Sequence, residues 1–303
     1  MPSHEYEDFI APFRGKGTFG PELTISELRT RFEMLAANFF KPANGAEHVP
    51  TQIAGLVAEW IYPQGCDRTS VVLFLHGGGY GIGSIDTHRG IAGNIAVSAG
   101  VAGLVIEYRL APEHTYPAAI DDAISAYSAL LAKGFASDRI VVAGDSAGGG
   151  MALSLLMAAR DRALPLPAGA VCLSPLTDLT HSGESVTSRA SRDPFVSESG
   201  SRAYAHRYLG SSGDPHDPLA SPLFGNFAGL PPILLLVGSE EVLHDDSTRV
   251  AAKLKAHGNT GAFEIWPDMI HVWPMFYEHY PEAKKAIARI GDFVSAAICR
   301  ANK

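Results

Sequence analysis

The chain has 303 residues, 46% of them hydrophobic, and a formal net charge of −8 at pH 7. That length and apolar content suffice for a large core in one α/β domain, and the acidic balance argues against nucleic acid, because phosphate binding needs a basic face. No apolar run approaches the ~18 residues of a membrane span, the acidic N-terminus lacks a basic leader region, and Cys66, Cys172 and Cys299 show neither disulfide nor zinc spacing, so a cytoplasmic setting is expected.

The stretch to about residue 45 reads as helical. Thr24 and Glu27 make a T-x-x-E capping box, followed by Leu28, Phe32, Leu35 and Phe39 on one helical face. Apolar runs and alternation then predict strands near 46–53, 55–62, 71–75, 103–108, 140–144, 170–174, 232–238 and 262–266. The middle strands are nearly all apolar, as in a buried parallel sheet. Helical patterns separate most of the later ones. Asp86-Thr87 offers a start before Ile91 to Ser98, Pro117-Ala118 opens a helix through Leu131, and a helix from Ser247 ends at His257 before Gly258. The segment from about His181 to Gly225 breaks the alternation; it is rich in Ser and Arg, with Tyr204, Tyr208 and Leu209 at helical spacing. The pattern predicts an α/β fold with about eight strands and no internal repeat.

Two motifs carry chemistry. Gly144-Asp145-Ser146-Ala147-Gly148 follows the apolar run Ile140 to Ala143 and opens an apolar helix. A strand, a tight turn and a helix are what a nucleophile elbow needs, with Ser146 at the apex and glycines where backbones come close. Independently, the strand Leu73-Phe74-Leu75 runs into His76-Gly77-Gly78-Gly79. A strand ending this way can supply an oxyanion hole from bare backbone N–H groups; Gly78 and Gly79 are the candidate donors, joined by Ala147. No G-K-[ST] follows, which disfavours a phosphate-cradling loop.

These motifs, with Tyr108-Arg109-Leu110-Ala111-Pro112-Glu113 and Ser174-Pro175-Leu176-Thr177-Asp178-Leu179, resemble those of the bacterial hormone-sensitive-lipase-like esterases, family IV of the α/β-hydrolases. The resemblance implies a Ser-acid-His triad in that chain order. The family's acidic pattern, D-P-L-x-D, matched on Leu243 and Asp245, places the catalytic carboxylate at Glu241, a departure from the commoner aspartate; Asp245 is the runner-up, although Asp245 and Asp246 also suit capping or charge-complementing the following helix. Of the histidines beyond Glu241, His244 shares its segment, His257 reads as a helix C-terminal cation, and His279 lies in a Tyr- and Glu-rich helical stretch. His271 falls in the loop after the strand Ala262 to Trp266, where the family's catalytic base stands, with Val272-Trp273 in place of Gly-Phe.

The resemblance further implies a helical cap from residues 1–45 and 181–225 over a catalytic domain of 46–180 and 226–303. The aromatic stripe of these two segments reads as packing before substrate contact, with Phe13, Phe19 or Phe40 as the candidates to line the pocket. It implies hydrolysis of short-to-medium acyl esters without metal or organic cofactor, and a homodimer paired along 262–266. Lactone hydrolysis would use the same groups. Receptors of this fold that bind small molecules lack the catalytic histidine, and His271 argues against that alternative. Three conspicuous features read as structural: His76 bracing its own glycine loop, Tyr108-Arg109 networked with Asp121-Asp122, and Tyr80, which either packs or touches the leaving group.

Overall fold

The computed structural model describes residues 1–15, 19, 20 and 22–300. Its strands are β1 (Ala46–Ile53), β2 (Leu56–Pro63), β3 (Asp67–Leu75), β4 (Val101–Ile106), β5 (Ile140–Asp145), β6 (Gly169–Leu173), β7 (Ile233–Gly238) and β8 (Ala262–Trp266). They form an eight-stranded sheet in the order β1-β2-β4-β3-β5-β6-β7-β8. Only the β1–β2 and β2–β4 pairings are antiparallel; β4, β3 and β5 to β8 run parallel. The helices are α1 (His4–Ile10), α2 (Ile25–Phe39), α3 (Ile85–Ala99), α4 (Ala118–Ala132), α5 (Ala147–Asp161), α6 (Ser185–Ser188), α7 (Glu198–Leu209), α8 (His244–Ala256) and α9 (Pro281–Arg300). The expected α/β architecture is thus present.

Side chains alternate across a strand, and the core divides accordingly. Leu73, Ile140, Val142, Cys172 and Leu235 join residues of α4, α5 and α8 on one face. Val72, Phe74, Val141, Val171 and Leu234 join α3 and α9 on the other. With both faces covered, the central strands must be apolar at every position, which explains their unbroken hydrophobic runs. No helix among the described residues is long and apolar enough to cross a membrane.

Some boundaries move. The helix expected from Asp86 begins at Ile85, because Ser84 and not Asp86 forms the cap, in a reciprocal box with Thr87. The helix expected from Ser247 begins three residues earlier, at His244, with Leu243 at the cap position. Asp245 and Asp246 therefore lie inside its first turn, where acidic side chains complement the helix dipole, and are not caps. His279, expected in a helix, lies in the turn before α9. The capping box of Thr24 and Glu27 is present as read.

What matters for function is where the parallel strands end. β3 runs into His76, β5 into Ser146, β6 into Ser174, β7 into the 239–243 loop and β8 toward His271, all at the carboxyl edge of the sheet. Open α/β sheets bind ligands in the crevice at that edge.

Candidate active site

Ser146 occupies a conformation that L-residues rarely adopt, φ 51° and ψ −119°. Such a residue carries about 1–3 kcal/mol of strain and persists only when its surroundings hold it. Its N–H donates to Leu173 O at 2.8 Å, and its carbonyl accepts from Leu176 N at 2.9 Å and Gly150 N at 3.0 Å. The strand before and the helix after are locked by close approach: a Cβ on Gly144 would stand 2.7 Å from Leu75 O, and one on Gly148 would run into the same carbonyl. Only glycine fits either position.

The glycine loop after β3 lies beside this turn. Gly77 N–H donates to Asp145 Oδ1 at 2.9 Å. Gly78 and Gly79 have φ of 109° and 59°, and a Cβ on Gly79 would meet the Tyr204 ring at 2.7 Å. Ala147 is the first residue of α5, where backbone N–H groups have no acceptor within the helix. His76 braces the loop as expected: its Nδ1 lies 2.8 Å from Gly77 O and its ring stacks on Tyr108 at 4.0 Å. Burial, reinforced by the neighbouring His88, pushes the His76 pKa down to about 3, so its ring is neutral. Tyr80 packs: it is 1% exposed and stacks on Tyr208 at 3.8 Å. Of the polar network, Arg109 pairs with Asp122 at 2.7 Å, but Tyr108 donates instead to His76 O and Asp121 faces Arg162.

The structure brings Glu241 and His271 together. His271 Nδ1 lies 3.1 Å from Glu241 Oε2, and the carboxylate is fully buried. Its other oxygen accepts from Gly238 N–H and from Ser174 Oγ at 2.7 Å. Burial alone would lower the His271 pKa; the Glu241 carboxylate, with Asp193 and Asp145 behind it, outweighs that and raises it. The other candidate histidines are engaged elsewhere. His244 Nδ1 faces Asp245 at 3.4 Å, His257 bonds Lys253 O, and His279 bonds Phe39 O. Asp245 accepts from Ser185 N at 2.9 Å, which ties α8 to α6. Asp246 is buried and accepts from the Thr177 and Asp178 N–H groups; burial and the Asp178 charge push it up to about 7.

Two residues in this arrangement have no role in the sequence reading. Ser174 lies within a motif that the sequence shows, but its bond to Glu241 spans 67 positions. Asp193 is buried and accepts from Phe195, Val196 and Val242 N–H groups, fastening the loop beside Glu241. The Asp-Pro pair at 193–194 was the available signal.

Ser146 and His271 open onto one cavity of about 120 Å³, shared with Gly78 and Gly79. Its walls are largely carbon. Phe19, Phe32 and Phe40 come from the N-terminal segment, and Phe195, Val196 and Tyr204 from the 181–225 segment. Phe13, one of the three pocket candidates, is not in the wall; it packs on Phe9, Phe39 and Phe195. Among the described residues no group of three or more His, Cys, Asp or Glu side chains is arranged to hold a metal ion.

Comparison with known proteins agrees with this architecture. Residues 72–275 match a family described as having the alpha/beta hydrolase fold. An acetyl-hydrolase of Streptomyces hygroscopicus is 46% identical over 241 residues, covering 79% of this chain and 80% of its own. An esterase of Acinetobacter venetianus is 36% identical, covering 90% of each chain. Among solved structures, an esterase of the bacterial hormone-sensitive lipase family superposes with a TM-score of 0.93 at 41% identity, over 98% of this chain and 99% of its own. A related esterase, soaked with p-nitrophenyl butyrate, matches with the same TM-score at 42% identity and the same coverage.

Proposed function

This chain belongs to the hormone-sensitive-lipase-like esterases of the α/β-hydrolase family and is a carboxylic ester hydrolase, and from that premise we propose that it works through a Ser146–His271–Glu241 triad and an acyl-enzyme. Ser146 Oγ attacks the ester carbonyl while His271 Nε2 takes its proton. The carbonyl oxygen becomes an oxyanion, held by the N–H groups of Gly78, Gly79 and Ala147. The bond to the alcohol oxygen then breaks as His271 returns the proton to the leaving alkoxide. Water repeats the sequence on the acyl-Ser146 ester and releases the acid. Glu241 accepts the Nδ1–H, which fixes the tautomer and stabilises the imidazolium as it forms. No step calls for a metal or organic cofactor.

One observation carries this reading. A strained serine and a histidine 3.1 Å from a buried carboxylate open onto the same glycine-floored cavity. The described residues of 1–45 act with 181–225 as a cap, because both segments contribute aromatic wall to that cavity. Its size supports a short-acyl substrate: an enclosed cavity of about 150 Å³ holds a benzene-sized guest, so about 120 Å³ favours acyl groups of a few carbons over long chains. A lactone presents the same carbonyl to the same groups. The test is hydrolysis of p-nitrophenyl esters from acetate to dodecanoate. The best rate is expected between two and six acyl carbons, and a profile that rises beyond ten would contradict the size argument.

The same family membership and an exposed edge support a homodimer. β8 closes one side of the sheet, with Phe263 and Ile265 exposed, and an apolar edge strand is a template for pairing with another chain.

A further inference from the structure

At the wall of the catalytic cavity a serine held by a buried histidine stands apart from the triad. His181 Nε2 lies 2.7 Å from Ser201 Oγ, and its Nδ1 lies 3.0 Å from Leu179 O. Both residues are buried, with 5% and 8% exposure, and Ser201 lines the cavity. A carbonyl oxygen only accepts, so the hydrogen of a neutral His181 ring sits on Nδ1 and Nε2 is the acceptor. Burial, with Arg202 nearby, lowers the His181 pKa and keeps the ring neutral. The Ser201 hydroxyl therefore donates to His181, and what it has left to offer is its lone pairs.

Its place in the fold gives this consequence. Ser201 stands three residues before Tyr204 on α7, hence on the same helical face, and Tyr204 covers Gly79 of the glycine loop. From these observations we infer that Ser201, held by His181, is a hydrogen-bond acceptor subsite that selects esters carrying a hydroxyl group on the arm reaching α7. His181 is a positioning residue in this arrangement and touches no substrate. A hydroxyl that enters a carbon-walled cavity unpaired is disfavoured, whereas one that donates to Ser201 is not, so the site discriminates against the matching methyl compound. The inference rests on the esterase reading of the cavity and names a substrate class for it.

The test uses isosteric ester pairs on the full-length protein: p-nitrophenyl 3-hydroxybutyrate against 3-methylbutyrate for the acyl arm, and 2-hydroxyethyl against propyl butyrate for the alcohol arm. In at least one pair the hydroxyl-to-methyl ratio of kcat/KM should fall about threefold to tenfold on Ser201→Ala, the worth of one neutral hydrogen bond. Ser201→Thr, which keeps the hydroxyl, should retain the wild-type ratio. A ratio cancels any general loss of activity or stability in the variant. Equal ratios in wild type and Ser201→Ala for both pairs would overturn the subsite while leaving the esterase intact. A wild type inactive on all four esters would overturn the esterase reading and the subsite with it.

Discussion

Removing the Ser174 hydroxyl separates support of the catalytic acid from the acid itself. Ser174 Oγ donates to Glu241 Oε1 at 2.7 Å and accepts from Val272 N–H at 3.1 Å, which ties the carboxylate to the residue after His271. Ser174→Ala leaves Glu241 with the Gly238 N–H and His271. A hydrogen bond to a charged group contributes about 1.5–3 kcal/mol, and each 1.36 kcal/mol lost from the transition state is tenfold in rate. The expected fall in kcat is therefore about 10- to 100-fold, with KM changed little, because neither group binds ground-state ester. Losing the orienting acid altogether in a triad costs about 10⁴, so Glu241→Ala should be clearly worse. Steady-state hydrolysis of p-nitrophenyl butyrate measures both, and a thermal melt detects the orphaned Val272 N–H. A Ser174→Ala rate within twofold of wild type would refute the view that this hydroxyl sets the carboxylate's position.

Three further outcomes are expected. Since Glu241 raises the His271 pKa above its ordinary 6.5 and attack needs the neutral ring, kcat/KM should fall as pH drops through a midpoint above 6.5. In Glu241→Gln the largest raising charge is gone while Asp193 and Asp145 remain, so the midpoint should move down, and a residual-rate profile with an unmoved midpoint would contradict that cause. Gly79→Ala places a Cβ against the Tyr204 ring and should lower kcat about 100-fold, the scale of one oxyanion donor; adding Tyr204→Ala should restore part of it, and no recovery would mean the fault lies elsewhere. If β8 pairs two chains as proposed, the wild type should be a dimer by light scattering and Phe263→Lys a monomer of 32.2 kDa, while a wild type already monomeric would remove the edge-pairing proposal.

The sheet was legible because burial on both faces forces unbroken apolar runs, so β3, β5, β6 and β7 stand out as sequence. The elbow was legible because close backbone approach leaves glycine no substitute at 144 and 148. Ser174, Asp193 and the burial of Asp246 were not visible. Their bonds join residues between 49 and 98 positions apart where they cross the chain, and no local period records such distances. Asp246 illustrates the point: next to a helix start its charge suggests capping, yet it is the Thr177–Asp178 backbone that takes the carboxylate inward. The Ser201–His181 pair was hidden likewise, since neither residue sits in a motif.

The reactivity proposed for the Ser146 hydroxyl can be measured directly. Intact mass and peptide mapping after treatment with diethyl p-nitrophenyl phosphate should find one diethylphosphoryl group per chain, on the peptide carrying Ser146, with esterase activity lost in proportion. Ser146→Ala should take up none. Stoichiometric labelling of another residue, or full activity in a protein labelled at Ser146, would contradict the account.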